Sequence, residues 1–319
     1  MPPGRRPRLV VSAGDPAGIG PEVAVKALAR PEVRAMADVA VAGDPAQLRD
    51  VARRLGLPPV ASVEPAGDAG TVAAGQLSAA GGRAAVAAVR RAVELVVAGA
   101  YDGLVTGPIN KEAMRLAGFP WPGHTELLAE LAAVQDVRML LVAEPLRVVH
   151  VTTHRSLRSA IDAATRDRVL RTIELGAEGV RRLGVAAPRV AVAGVNPHAG
   201  EGGLFGDEES REIAPAVAAA RAAGIDASGP WPADTLFWRA ARGDFDLVVA
   251  MYHDQGHIPV KLGGFDEGVN VTLGLPFPRA SVDHGTAFDI AGRGIARWQS
   301  MAAAIRVGAR LAAGEEGSS

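Results

Sequence analysis

The 319-residue sequence has no cysteine, which excludes disulfides, thiolate nucleophiles and cysteine-based zinc sites. Any metal must therefore sit on histidine, carboxylate or carbonyl ligands. Net charge is nearly absent too: 34 Lys+Arg against 35 Asp+Glu leaves −1, with no broad field to attract nucleic acid or an anionic membrane. No apolar run approaches the ~18 residues of a membrane span. The run Leu9-Val10-Val11 behind Arg5, Arg6 and Arg8 ends at Ser12, too early for a signal-peptide core. With 48% apolar and 22% charged residues, the composition is that of a soluble globular protein. A cytoplasmic chain with neither nucleic-acid nor membrane partners is expected.

Lysine and asparagine are scarce as well. Only Lys26, Lys111 and Lys261 stand among 34 basic residues, and only Asn110, Asn196 and Asn270 carry a side-chain amide of that length. Where arginine is used so freely, the remaining lysines mark positions that want a compact ammonium rather than a planar fork. Two of the three lysines and all three asparagines fall in Gly/Pro-rich turns.

What is present is a regular alternation. Apolar, β-branched runs at Leu9–Ser12, Asp38–Ala42, Gly103–Thr106, Arg138–Val142, Val148–Thr153, Arg189–Val195, Leu247–Tyr252 and Val269–Leu273 predict strands. Helical windows lie between them at Arg83–Ala98, Asp167–Leu183, Glu208–Ala223 and Gln299–Leu311. The pattern predicts an α/β fold with a largely parallel sheet. At this length one core stops growing, so two subdomains are expected in a single chain spanning 1–319. Pro65–Gly82 reads as a loop or excursion, and Gly314–Ser319 as a frayed tail.

The polar residues gather just past the strands, where open α/β sheets bind ligands. One strand runs into Gly14-Asp15-Pro16-Ala17-Gly18, another into Gly107-Pro108-Ile109-Asn110-Lys111. Three more end at His154, at Asn196-Pro197-His198 and at His253-Asp254-Gln255-Gly256. Three neutral imidazoles on one cation would leave positions open for substrate. His150, inside an apolar strand, reads as packing; His257 lies one helical turn from His253. Asn110, Lys111, Thr125, Lys261, Asn270 and Arg279 lie in or beside turns and together could hold a carboxylate and a phosphate. The first Gly-rich turn is neither GxGxxG nor a Walker loop. It reads as a strand-to-helix turn with Pro21 at the helix start.

Taken together, these strings resemble the 4-hydroxythreonine-4-phosphate dehydrogenase family. The resemblance runs in order along nearly the whole chain, through Gly14–Glu22, Gly107–Lys111, Gly123–Glu126, Asn196–Glu201, Tyr252–Gly256 and Ser281–Asp289. The last block, continued to Ala296, is similar to the adenosine-binding loop of isocitrate and isopropylmalate dehydrogenases. The implied fold is two α/β/α subdomains around a cleft, discontinuous in sequence. By resemblance, His154, His198 and His253 match the divalent-metal ligands. His124, Thr125, Lys261, Asn270 and Arg279 match the substrate-binding set, and His284 and Asp289 the loop for NAD (or NADP).

The same resemblance implies a homodimer with its active site at the interface, so the three histidines need not converge within one chain. It also implies one divalent metal per subunit (Zn, Mg, Co or Mn) and a phosphorylated small-molecule substrate. The expected reaction, in pyridoxine biosynthesis, oxidises and decarboxylates 4-phosphohydroxy-L-threonine to 3-amino-2-oxopropyl phosphate, with Lys261 as the catalytic group for proton transfer or charge stabilisation. Gly256–Lys261 looks more like the paralogous branch acting on threonate or erythronate 4-phosphate, and a further branch oxidises dihydrodiol carboxylates. Ala280 stands where the family commonly has Thr, an expected loss of a hydroxyl beside Arg279. A carboxylate near substrate C2, from Asp234, Asp254 or Asp266, would distinguish an amine from a hydroxyl there. A phosphate acyltransferase and a non-catalytic binding protein are the readings of another class.

Overall fold

The computed structural model describes residues 5–70, 72–264 and 268–314. Asp266, one of the three carboxylates weighed for substrate C2, lies outside them, as do the last five residues of the expected tail. The chain divides into two compact units, one formed by Met1–Val137 with Leu275–Ser319, the other by Arg138–Gly274.

The strands, in chain order, are β1 Arg8–Ser12, β2 Asp38–Gly43, β3 Val63–Pro65, β4 Gly103–Thr106, β5 Arg138–Ala143, β6 Leu146–His150, β7 Val190–Ala193, β8 Ala227–Trp231, β9 Leu247–Ala250, β10 Val269–Leu273 and β11 Arg279–Val282. In the first unit they run β3-β2-β1-β4-β11, every pair parallel. In the second the order is β10-β5-β6-β9-β7-β8. There β6, β9, β7 and β8 are parallel, but β10 and β6 both pair antiparallel to β5. The mixed α/β architecture is as expected; the departure from a parallel sheet has a local cause. Only Glu144-Pro145 joins β5 to β6, and so short a link permits a hairpin but not a crossover.

Three strands carried too little pattern to be foreseen. β3 and β8 are edge strands bearing Pro65 and Gly229-Pro230, which a central strand would not accommodate. β11 has four residues, too few for alternation to register. Three foreseen strands stop early: β6 at His150, β7 at Ala193 and β9 at Ala250, so Thr153, Val195 and Tyr252 belong to the loops beyond. The window Glu208–Ala223 opens as a π turn, Glu209–Ile213, before becoming α-helical over Ala214–Ala222.

Each unit has its own core. In the first, Val10, Leu104, Val89, Val93 and Met114 are enclosed with Leu127, Leu128 and Phe277. The helix Ala79–Val97 packs on Lys111–Leu116 so closely that a side chain at Gly82 would run into the backbone of Ala113. In the second, Leu141, Val148, Val248, Ala191 and Leu236 form the cluster. Gly176 on the helix Arg166–Arg182 lets Leu247 and Val149 come against its backbone. No helix among the described residues is long and apolar enough to cross a membrane.

Candidate active site

In the first unit the turns after β1 and β4 lie against each other. Asp15 N–H donates to Pro108 O at 2.9 Å and Gly107 N–H to Ser12 O at 2.9 Å. Gly14 sits at φ +80°, and any side chain there would collide with Pro108 O. Asp15 is fully buried. One carboxylate oxygen accepts from Ala17 N–H at 2.9 Å and the other has no hydrogen-bond partner. Burial raises its pKa, opposed by the Ala17 bond.

Arg279, on β11, is 2% exposed and donates to Thr106 Oγ1 at 2.6 Å. Burial lowers its pKa to about 9, so it stays protonated at neutral pH. His124 begins the helix His124–Leu131, and its Nε2 is buried without a hydrogen-bond partner. Burial first, then the charges of Arg279 and Lys111, hold its pKa well below the ordinary histidine value. A neutral imidazole facing two cations is an anion pocket in which the third group donates or accepts without adding charge. Thr125 lies half-buried in the same first turn. Asn110, weighed as an anion donor, commits its Oδ1 to capping the helix Lys111–Leu116 through Ala113 N–H at 2.9 Å. Trp121, just before this helix, is tied to it: its Nε1–H donates to Glu130 at 2.7 Å, and its ring stacks on Phe119.

The expected loss beside Arg279 is corrected by strand geometry. Successive side chains on β11 point to opposite faces. Arg279 and Ser281 reach Thr106, whereas buried Ala280 faces the helix Gln299–Ala313, its Cβ close to the space above Gly308. A threonine hydroxyl at 280 would point away from the anion pocket.

His284 and Asp289 also belong to the first unit. His284 Nδ1 lies 2.9 Å from Gly285 O, and its Nε2 is buried without a hydrogen-bond partner. Asp289 is exposed in the run of turns from Ala287 to Arg293.

In the second unit, His154 follows β6 in a left-handed conformation (φ +50°) and His253 begins the helix His253–Gly264. Their ring centroids are 5.9 Å apart, and both line a cleft of about 310 Å³ with Thr152, Thr153, Arg155 and Tyr252. His253 Nδ1 lies 2.7 Å from Asp254 Oδ1, which fixes the proton on Nδ1 and leaves Nε2 as the lone-pair nitrogen. Gln255 ties the ends of β9 and β7 together, accepting from Met251 N–H at 2.6 Å and donating to Gly194 O at 2.7 Å.

His198 sits elsewhere in this unit, in a left-handed turn running from His198 to Gly202, with Phe205 its ring neighbour at 6.3 Å. Glu209 holds that turn, accepting from Val195 N–H and Asn196 N–H at 2.7 Å each and from Asn196 Nδ2 at 2.9 Å. His154 and His253 are therefore brought together and His198 is not. Among the described residues of one chain, no three histidine, aspartate or glutamate side chains gather closely enough to hold a metal ion. The donors themselves suit a divalent ion: imidazole nitrogens, one ring oriented by a carboxylate at its Nδ1. Lys261 is half-buried two turns along the helix from His253, and Asn270 on β10 has its Oδ1 buried without a hydrogen-bond partner.

Sequence reasoning left two histidines aside. His257 stacks on His253 with centroids 3.6 Å apart and planes at 12°, and His150 lies 4.7 Å from His257. The i,i+4 spacing of His253 and His257 was the available signal.

The sequence model of the family described as "Pyridoxal phosphate biosynthetic protein PdxA" matches residues 18–308. The chain is 51% identical to D-threonate 4-phosphate dehydrogenase of Cupriavidus necator, covering 96% of this chain and 97% of that one. It is also 51% identical to 4-hydroxythreonine-4-phosphate dehydrogenase of Beijerinckia indica subsp. indica, over 95% and 94%. Among solved structures, 4-hydroxythreonine-4-phosphate dehydrogenase from Klebsiella pneumoniae superposes with a TM-score of 0.87 at 46% identity, over 96% and 98% of the two chains.

Proposed function

The chain belongs to the PdxA family of pyridoxal phosphate biosynthetic proteins and is an oxidoreductase, and on that premise we propose that it oxidises a four-carbon 3-hydroxy acid 4-phosphate with NAD and decarboxylates the product. The observation that carries this reading is the anion pocket of neutral His124, Lys111 and buried Arg279, whose guanidinium reaches Thr106 at the carboxyl end of β4. Such a pocket suits a phosphate dianion, whose binding energy, remote from the reacting carbon, orients C3 for hydride loss. Thr125 and Asn270 add hydrogen-bonding groups for the substrate. His284 and Asp289 would hold NAD, which when bound supplies the hydride acceptor for C3. His154, His198 and His253, shared between two copies of the chain, would hold a divalent ion, which when bound supplies Lewis acidity toward the substrate oxygen at C3.

The C3–H bond breaks as hydride, the C3–OH proton leaves, and C3 becomes a ketone β to the carboxylate. The C1–C2 bond then breaks, its electron pair stays on the C2–C3 fragment, and CO₂ departs. C2 is reprotonated. Lys261, as the catalytic group, moves one of these protons or offsets the carboxylate's charge.

Between the two family substrates the carboxylates favour D-threonate 4-phosphate, which leaves dihydroxyacetone phosphate, over the 4-phosphohydroxy-L-threonine expected from sequence. An ammonium at C2 needs an acidic partner. Of the two described candidates, Asp254 is engaged with His253 at 2.7 Å and Asp234 is exposed on the helix Ala233–Ala241. The test is NADH formation with each phosphorylated substrate, with and without chelator. Chelator-sensitive turnover with kcat/KM at least about tenfold higher on D-threonate 4-phosphate is expected. Preference for the amino compound would reverse the substrate order, and no turnover on either would overturn the reading.

A further inference from the structure

Lys26, on the helix Gly20–Leu28, contacts nothing in the anion pocket or the histidine cleft; its ammonium is spent on backbone some 270 residues away. Nζ donates to Gly294 O at 2.8 Å, to Ala296 O at 2.8 Å and to Glu22 Oε1 at 2.7 Å, which uses all three of its hydrogens. Glu22, one helical turn earlier, accepts in turn from Ala296 N–H at 2.8 Å and Gly294 N–H at 3.2 Å. Both side chains are largely enclosed, 6% exposed for Glu22 and 13% for Lys26. One ion pair thus satisfies the N–H and C=O groups of both residue 294 and residue 296.

The segment so held is the end of the loop that carries Asp289 and follows His284. Its other end is fixed from the same helix entrance, where Ile19 N–H donates to Thr286 O at 3.0 Å and the backbone of Gly18 lies against Thr286. Among the described residues, the backbone between these two anchors makes short-range turn bonds, such as Ile290 N–H to Ala287 O and Arg293 N–H to Ile290 O. It is not core filler, because an open cleft of about 100 Å³ lies beside it, bordered by Gly292, Arg293, Gly294, Glu22, Gln47 and Arg54. A buried ion pair is a poor source of net stability. Its value here is geometric: tetrahedral N–H directions meet two carbonyls two residues apart, at Gly294 and Ala296, which a planar guanidinium would not match.

We propose that Glu22 and Lys26 form a positioning clasp that pre-sets the 286–296 loop for the dinucleotide cofactor. This rests on the reading of that loop as the NAD site. Without the clasp, the loop must be ordered at the moment of binding, and cofactor affinity bears that cost.

The experiment compares the full-length enzyme with its Lys26→Met, Lys26→Arg and Asp289→Ala variants. NADH affinity is read by fluorescence in the absence of substrate, and KM for NAD, KM for the phosphorylated substrate and kcat are measured separately. Lys26→Met is expected to weaken NADH binding and raise the KM for NAD by roughly tenfold, with kcat at saturating NAD and the KM for the other substrate within about twofold. Lys26→Arg is expected to restore little of the loss. Unchanged NADH affinity in Lys26→Met, or an equal loss toward both substrates, overturns the proposal. If Asp289→Ala loses NADH affinity while Lys26→Met keeps it, the clasp alone is refuted. Normal affinity in both removes the loop as cofactor site and the clasp with it. Should Lys26→Met fail to fold, Glu22→Gln, which keeps the size and removes the charge, carries the same comparison.

Discussion

The imidazole of His257 lies flat on that of His253, centroids 3.6 Å apart and planes at 12°, with His257 Nδ1 3.0 Å from His253 O. The stack and the Asp254 carboxylate at Nδ1 together leave the His253 ring little rotational freedom. Replacing His257 by Ala removes the supporting face. Divalent-metal affinity, measured by titration with Co²⁺, is expected to fall roughly tenfold, as for other groups that orient a metal-binding histidine. His257→Phe, which keeps a flat ring, should lose less. Equal affinity in all three proteins would count against the stack as an orienting contact.

The anion pocket makes a separable prediction. His124 is neutral because burial and the charges of Arg279 and Lys111 oppose its protonation. His124→Ala should raise the KM for the phosphorylated substrate by about ten- to a hundredfold while leaving NADH affinity unchanged. Steady-state kinetics with each substrate varied in turn decides it; a larger effect on the cofactor would move His124 out of the pocket.

Acid sensitivity follows from His150. It is 1% exposed, and burial first, then the neighbouring His257, lowers its pKa to about 3. In the unfolded chain it titrates near the ordinary 6.5, so between those values the unfolded state binds a proton that the folded state refuses. Stability contributed by neutral His150 is therefore fully present above about pH 6.5 and is lost as pH falls toward 3, by up to ~1.4 kcal/mol per unit. Urea unfolding at pH 7 and pH 4.5 should show that decline, and His150→Leu should flatten it. A decline of the same size in the variant would assign the acid sensitivity elsewhere.

Glu209 should matter more than its distance from any reacting group suggests. His198, Ala199 and Glu201 are non-glycine residues held at φ between +44° and +53°. Such backbone is costly and persists only where its surroundings over-determine it. Glu209→Gln converts a carboxylate accepting three hydrogen bonds into an amide with one acceptor oxygen. A loss of about 2 kcal/mol is expected in chemical unfolding. No change would mean the turn is held by its own glycines.

The elements legible in the sequence were those whose signal is local. The runs at β1, β4 and β5 centre on contiguous apolar residues and β10 alternates as Val-Asn-Val-Thr-Leu, and each appears within a residue or so of its expected bounds. Edge strands with Gly229-Pro230 or Pro65 carry no such run, because their pairing is supplied by a neighbouring strand rather than by composition. The same divide runs through the candidate site. His154, His198 and His253 were recognisable as polar residues just past strands, yet only tertiary structure decided that two of them meet and the third lies apart, since loop conformation after a strand is not encoded in the strand.

What the sequence by itself determined was the chemistry available: no thiolate, few lysines, histidines and Gly-rich turns at strand ends, and a family resemblance borne by contiguous strings. Tertiary structure alone decided what each group is used for. It turned Ala280 away from the anion pocket because strand side chains alternate, and it gave Asn110 to a helix cap because an exposed helix start needs an acceptor. It also spent Lys26 on a loop about 270 residues distant. Hydrogen bonds are satisfied by whatever the fold brings within 3 Å, and sequence separation does not report that distance.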